Sequence, residues 1–149
     1  MEGVIVRKEN DVLWHVTEQD IVLLEKDPKT FWEGIKVIGA GAFLRCISLK
    51  SITIPKSVEK IGYDAFYSCS NLESITIAGN NTKIEEGAFA DCRNLKEIRV
   101  PNGFKLRKNK GIFGIKYGRI LTKQLSAKEL GIKIVECGDT KSNTVENEL

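Results

Sequence analysis

One unit of 23 residues occurs three times between residues 35 and 103, with no insertion or deletion. Such a period constrains the fold more than any composition can, because each copy is one supersecondary unit that must stack on its neighbours. Ile38, Ile61 and Ile84 share one position of the unit. Ala42-Phe43, Ala65-Phe66 and Ala88-Phe89 share the next two. Cys46, Cys69 and Cys92 follow, then Leu49, Leu72 and Leu95. The unit closes on Ile52, Ile75 and Ile98, then on Ile54, Ile77 and Val100. The repeated positions are almost all apolar and those between them vary. A buried face is being kept, not a reactive site.

The closing stretch alternates with period two and reads as a short strand, near 51–54, 74–77 and 97–100. Pro55 and Pro101 stop two of these strands, and Ala78 takes the third such place. Ala-Phe-x-x-Cys suits one short helical or 3₁₀ turn returning along the other side. Ser48, Asn71 and Asn94 precede the Leu and can hydrogen-bond the backbone of a turn. One coil cannot bury its own apolar side, whereas stacked coils cover each other at the ~4.7–4.9 Å strand spacing. The chain is therefore read as an α/β repeat solenoid: short parallel strands on one face, short helical turns on the other, and a Phe stack inside.

The run Ile38-Gly39 through Ile61-Gly62, with Ala42-Phe43, Cys46, Leu49, Ile52, Ile54-Pro55 and Ser57-Val58 in place, resembles the BspA-like leucine-rich repeat family. The third copy carries Ala78-Gly79 where Pro-x-Ser stands in that pattern, and Glu85 in place of the Gly. The resemblance implies a right-handed leucine-rich-repeat superhelix without catalysis of its own. It also implies protein binding or adhesion, and a secreted or cell-surface setting.

The flanks read as atypical terminal caps. Residues 1–34 form an N-terminal cap: strands at 4–6 and 12–16, then a helix over 18–27 that starts at Thr17 with Asp20 and ends before Pro28. Trp14 and Trp32 are expected to plug the open end of the Phe stack. Residues 35–103 are the repeats, 104–137 a divergent C-terminal coil, and 138–149 a flexible polar tail. Projecting the 23-residue frame puts Ile112 at the Phe position of that last coil and starts its strand at Gly118 to Leu121. Ser126 and Glu129 make a capping box, and a strand over Ile132 to Val135 follows.

Composition narrows the function classes. With 149 residues, 42% hydrophobic and 29% charged, the chain is one globular domain and too apolar for a disordered one. The net charge of +3 is too small to name a partner. No apolar run reaches the ~20 residues of a membrane span, and Met1 to Asn10 hold no secretory apolar core. Cysteines 23 residues apart and a single His do not match zinc-ligand spacing, so Cys46, Cys69 and Cys92 are expected as reduced, buried small hydrophobes. Cys137 stands apart from the array beside Gly138 and Asp139, and reads as a spare thiol near a terminus or, second, as a reactive one. His15 lies in an apolar run, Glu85-Glu86 is a solvated pair, and nucleotide-loop and nucleophile-elbow motifs are absent. No cofactor and no enzymatic activity are expected; catalysis would have to come from another chain that this one targets.

Two surfaces remain. The outward strand positions Ser51, Thr53, Ser74, Thr76, Glu97 and Arg99, flanked by Lys50, Glu73 and Lys96, are the protein-binding face that the resemblance favours. Lys105, Arg107, Lys108, Lys110, Lys116, Arg119 and Lys123 form an acid-free basic stretch interleaved with Phe104, Phe113 and Tyr117. That stretch is the alternative site, for nucleic acid or an acidic partner, and ranks second. Residues 1–34 hold eight acids against four bases, so head-to-tail self-association through the same stretch is a third use. Three strands offer roughly six to nine outward residues, whereas a specific interface uses ~20–30 a side. A partner must therefore also touch a cap, Tyr63 and Tyr67, or the basic stretch.

Overall fold

The computed structural model describes residues 7–104, 111–117, 122–124, 126–137 and 142–144. The order of elements is β1 (Arg7–Glu9), β2 (Val12–His15), α1 (Glu18–Lys26), α2 (Pro28–Trp32), β3 (Val37–Ile38), β4 (Ser51–Ile54), β5 (Lys60–Ile61), β6 (Ser74–Ile77), β7 (Lys83–Ile84), β8 (Glu97–Pro101), β9 (Ile115–Tyr117), β10 (Thr122–Gln124), α3 (Ala127–Leu130), β11 (Lys133–Cys137) and β12 (Ser142–Thr144). The expected strand at 4–6 lies outside the described residues.

Each coil of the repeat feeds two sheets. A wide sheet runs β12-β11-β8-β6-β4, and a narrow one runs β1-β2-β3-β5-β7. Neighbouring coils pair in parallel at an offset of 23: Ile52 opposite Ile75, Ile75 opposite Ile98, Ile38 opposite Ile61 and Ile61 opposite Ile84. The chain is a repeat solenoid. Its narrow sheet was not read from the sequence, because a two-residue strand is too short for alternation to show.

The helical or 3₁₀ turn expected at Ala-Phe-x-x-Cys is present as separate turns with i→i−3 bonds of the 3₁₀ type and does not run on into a helix. The segment is a string of tight turns, such as Ala42 N–H to Gly39 O at 3.1 Å and Cys46 N–H to Phe43 O at 3.2 Å. Residues with left-handed backbone interrupt it at fixed places. Gly41, Asp64 and Gly87 have φ of 66°, 53° and 74°, and Arg45, Ser68 and Asp91 have 57°, 59° and 57°. A left-handed residue ends a right-handed helix, and a non-glycine there costs roughly 1–2 kcal/mol. The amides thus released reach the next coil instead. Phe43 N–H donates to Ala65 O and Phe66 N–H to Ala88 O, both at 2.7 Å.

Between the sheets and the turn segments runs the core. Phe43, Phe66 and Phe89 form one column, with ring centroids 4.6 Å and 5.7 Å apart. At its N-terminal end Phe31 and Trp32 lie 6.3 Å and 6.4 Å from Phe43. Trp14, expected to share that task, is 52% exposed. Phe31 takes its place, because Pro28 does not merely end a helix but opens a second one. Asp27 caps it, accepting from Thr30 N–H at 3.2 Å and Thr30 Oγ1 at 2.6 Å, and proline is well suited to a first helical position. The capping box of α1 forms as read, with Asp20 N–H donating to Thr17 Oγ1 at 3.2 Å and Thr17 N–H to Asp20 Oδ2 at 2.8 Å. Asn10 and Asp11, with φ of 55° and 68°, make the two-residue turn that joins β1 to β2.

The last coil departs from the projected frame. Phe113, not Ile112, continues the aromatic column, 6.3 Å from Phe89. Ile112 takes the alanine's part and accepts from Phe89 N–H at 2.7 Å. Residues 118–121, where the frame starts the strand, lie outside the described residues. The strand that pairs with β8 is β11, with Ile134 opposite Ile98, 36 positions later rather than 23. The extra length holds the antiparallel pair β9–β10 and α3. Within the stretch read as a flexible tail, β12 pairs antiparallel with β11.

Candidate binding surface

The wide sheet sorts its side chains by strand parity. Ile52, Ile54, Ile75, Ile77, Ile98 and Val100 point inward and are buried. Ser51 and Thr53 are exposed, while Ser74, Thr76, Glu97 and Arg99 are half-buried by their neighbours on the same face. Backbone pairing aligns them in two rows. One runs Ser51, Ser74, Glu97 and Lys133; the other runs Thr53, Thr76, Arg99 and Val135. Small hydroxylated residues therefore occupy the N-terminal half of the face. A charged and longer pair occupies the next strand, where Arg99 Nε lies 3.3 Å from Glu97 Oε2. Lys133 is exposed on this surface but was missed, because its strand lies beyond an insertion that the repeat does not encode; Val135 shares the second row but is buried.

Lys50, Glu73 and Lys96 flank the rows and are exposed. Backbone bonds stack them, with Glu73 N–H donating to Lys50 O at 2.8 Å and Lys96 N–H to Glu73 O at 2.9 Å. Their side chains form no ion pair among the described residues. On the turn side Tyr63 is exposed and Tyr67 half-buried. The alternative basic set is divided. Lys105, Arg107, Lys108, Lys110 and Arg119 lie outside the described residues, and Lys116 and Lys123 are backbone partners across β9–β10.

The cysteines serve the stack. Cys69 Sγ donates to Phe43 O and Cys92 Sγ to Phe66 O, each at 3.0 Å, and Cys46 Sγ lies 3.8 Å from Val16 O. Burial pushes all three thiols up to about 12. Such thiols are poor nucleophiles near neutral pH. None of the four cysteines is disulphide-bonded, and Cys137 is exposed. Among the described residues no cluster of His, Cys, Asp and Glu could hold a metal ion. The asparagines do more than brace their own turn. Asn71 Nδ2 donates to Ile47 O and Asn94 Nδ2 to Ser70 O, both at 2.7 Å, so each ties its coil to the preceding one. Ser48 does the same toward the N-terminal block, donating to Glu18 Oε1.

Stacked parallel strands, an asparagine ladder and an internal Phe column define a leucine-rich-repeat solenoid that presents the outer side of its wide sheet. The family model for the BspA type leucine rich repeat region (6 copies) matches residues 29–114, and the chain belongs to that family. Members are typically non-enzymatic interaction modules and are commonly surface or secreted proteins. No curated protein and no solved structure matches the chain significantly. Among the described residues no helix is long and apolar enough to cross a membrane.

Proposed function

We propose that the chain is a protein-binding module for adhesion to a host or matrix protein at a cell surface. The solenoid winds as a right-handed superhelix closed by caps, residues 1–34 at one end and 104–137 at the other. The binding face is the outer side of the wide sheet: Ser51, Thr53, Ser74, Thr76, Glu97 and Arg99, with Lys50, Glu73 and Lys96 at its border. The supporting observation is the alignment of these positions in two straight rows with small hydroxyls at one end and the Glu97–Arg99 pair at the other. Such a face fits a partner surface closely without deep pockets.

Thr76→Arg places a bulky cation at the centre of the face, and Arg99→Glu reverses its one cation in the second row. In a capture experiment read by mass spectrometry, a partner held by the wild type is expected to be lost from the double variant. Retention of that partner removes the sheet face as the site. The competing use of the basic residues 105–123 for nucleic acid is distinguished by salt. Phosphate binding weakens steeply between two salt levels in a gel shift, whereas a sheet-face complex does not.

A further inference from the structure

Two residues ahead of each narrow strand of the array the chain carries Ile35, Val58 and Asn81. Ile35 and Val58 are buried, 0% and 1% exposed, but Asn81 is exposed. In the third copy the turn moves one residue along, from 56–57 in the copy before to 80–81. Thr82 then goes inward where an aliphatic side chain stood, and is 4% exposed. Its Oγ1 donates to Val58 O at 3.0 Å. A Cβ on Gly79 would lie 2.6 Å from that hydroxyl, so the glycine makes room for it. Exchanging an aliphatic side chain for a hydroxylated one gives up apolar burial, so the core does not account for the change.

What the change presents is Asn80-Asn81-Thr82, the one Asn-x-Ser/Thr in the sequence. With any residue but proline in the middle, that pattern is the acceptor of N-linked sugar. Asn71 and Asn94 spend their side-chain amides on the ladder between coils. Asn80 is exposed, and its side-chain amide makes no hydrogen bond among the described residues. A groove of about 300 Å³ separates this turn from the preceding coil, lined by Lys56, Val58, Glu59 and residues 78–82. A sugar on Asn80 Nδ2 therefore has space beside the solenoid. The turn lies past the end of β6, outside the two rows of the sheet face.

We propose that Asn80 is a glycosylation site, loaded before the third coil closes. The donor is an oligosaccharide carried on a polyprenyl diphosphate. Asn80 Nδ2 bonds to the anomeric carbon of the first sugar, and the bond from that carbon to the diphosphate oxygen breaks. Polyprenyl diphosphate leaves, one amide proton passes to a base of the transferase, and nothing is oxidised or reduced. The transferase reads the hydroxyl two residues after the asparagine, and in the folded chain that hydroxyl is buried against Val58 O. Transfer thus belongs to the unfolded segment. The proposal rests on the surface setting given above, since donor and transferase meet only chains that leave the cytosol.

The full chain behind a cleavable leader is expressed in a eukaryotic secretory host and collected from the medium. Peptide:N-glycosidase is expected to lower its apparent mass and to leave an aspartate where Asn80 stood. Asn80→Gln and Thr82→Ala are expected to abolish that shift, and Asn81→Gln to leave it unchanged. Thr82→Ser, which keeps the buried hydroxyl, is expected to retain it and so separates the sequence requirement from a folding defect. Folded chain made without the leader, given transferase and donor, should gain sugar at least tenfold more slowly than a blocked peptide of residues 78–83. Wild type secreted without sugar, sugar that survives Asn80→Gln, or equal transfer to folded chain and peptide overturns the proposal. Sugar in the host with none on the protein isolated from its own cells overturns it through its premise, the surface setting. Partner capture by the sheet face reads other residues and stands or falls separately.

Discussion

Residues 35–103 and the coil that follows Phe104 meet the same demand by different means. In the array most buried apolar side chains have a copy 23 positions on, so sheet, turn, thiol and phenyl columns advance together. In the last coil two anchors are kept, Phe113 on Phe89 and Ile134 opposite Ile98. The thiol column has no fourth member. Cys46 and Cys69 are 3% and 0% exposed, whereas Cys92 is half-buried beside an opening of about 720 Å³ that Phe89, Leu95, Phe113 and Ile132 also line. A repeat frame can thus be broken between anchors without ending the stack. Loop-closure cost rises only slowly with length, so the inserted residues are tolerated where they do not interrupt a column.

The largest expected effect separates the two regions directly. Phe66→Ala removes a ring packed between two others and should cost about 3–5 kcal/mol in denaturant unfolding. Phe113→Ala should cost about 1.5–3 kcal/mol, because among the described residues Phe113 packs on one ring and it borders an open pocket. Equal losses would mean that the last coil is packed as tightly as the array.

Next comes pH. The raised thiols of Cys46, Cys69 and Cys92 stay protonated in the folded chain up to about 12, while an unfolded thiol ionises near 9.0. The folded state then binds more protons than the unfolded one, so this contribution is complete below about 9 and is lost as pH climbs toward about 12. Unfolding midpoints of the wild type should fall from pH 9 to 11, and those of Cys69→Ala should fall less. In native alkylation at pH 8.5, Cys137 is expected to react first and Cys92 before Cys46 and Cys69. Simultaneous labelling of the three would erase the contrast between closed and open ends of the thiol column.

Smaller differences test the ladder and the ends. Asn71→Ala cuts the tie to Ile47 O and should cost about 1 kcal/mol. Thr17→Ala, at the cap of the nine-residue α1, should cost about 1 kcal/mol. Ser126→Ala, at the four-residue α3, should cost a few tenths, since less structure depends on it. Trp14→Ala should change stability by less than about 0.5 kcal/mol, in keeping with an exposed side chain.

Much of this was legible beforehand, and the limits are physical. The strands at 51–54, 74–77 and 97–100 carry alternation long enough to read, and the structure places β4, β6 and β8 there. The narrow sheet was hidden by the shortness of Val37–Ile38 and its copies. A short helical or 3₁₀ turn was expected from spacing, and i→i−3 bonds form there; but spacing carries no sign of φ, and Arg45, Ser68 and Asp91 are left-handed without a glycine to announce it. Of the candidate face, the array positions were readable, since parity alone assigns them. Lys133 required knowing which distant strand pairs with β8, and the end of the Phe column required knowing where Pro28 redirects the chain.

By itself the amino-acid order determined the repeating core: a period of 23 lays like side chains on like, and burying them needs no information beyond the period. The tertiary structure decided how the repetition begins and ends, which ring closes it and which distant strand extends the wide sheet. Those outcomes depend on contacts between segments of unlike sequence, and no local pattern ranks one such contact above another.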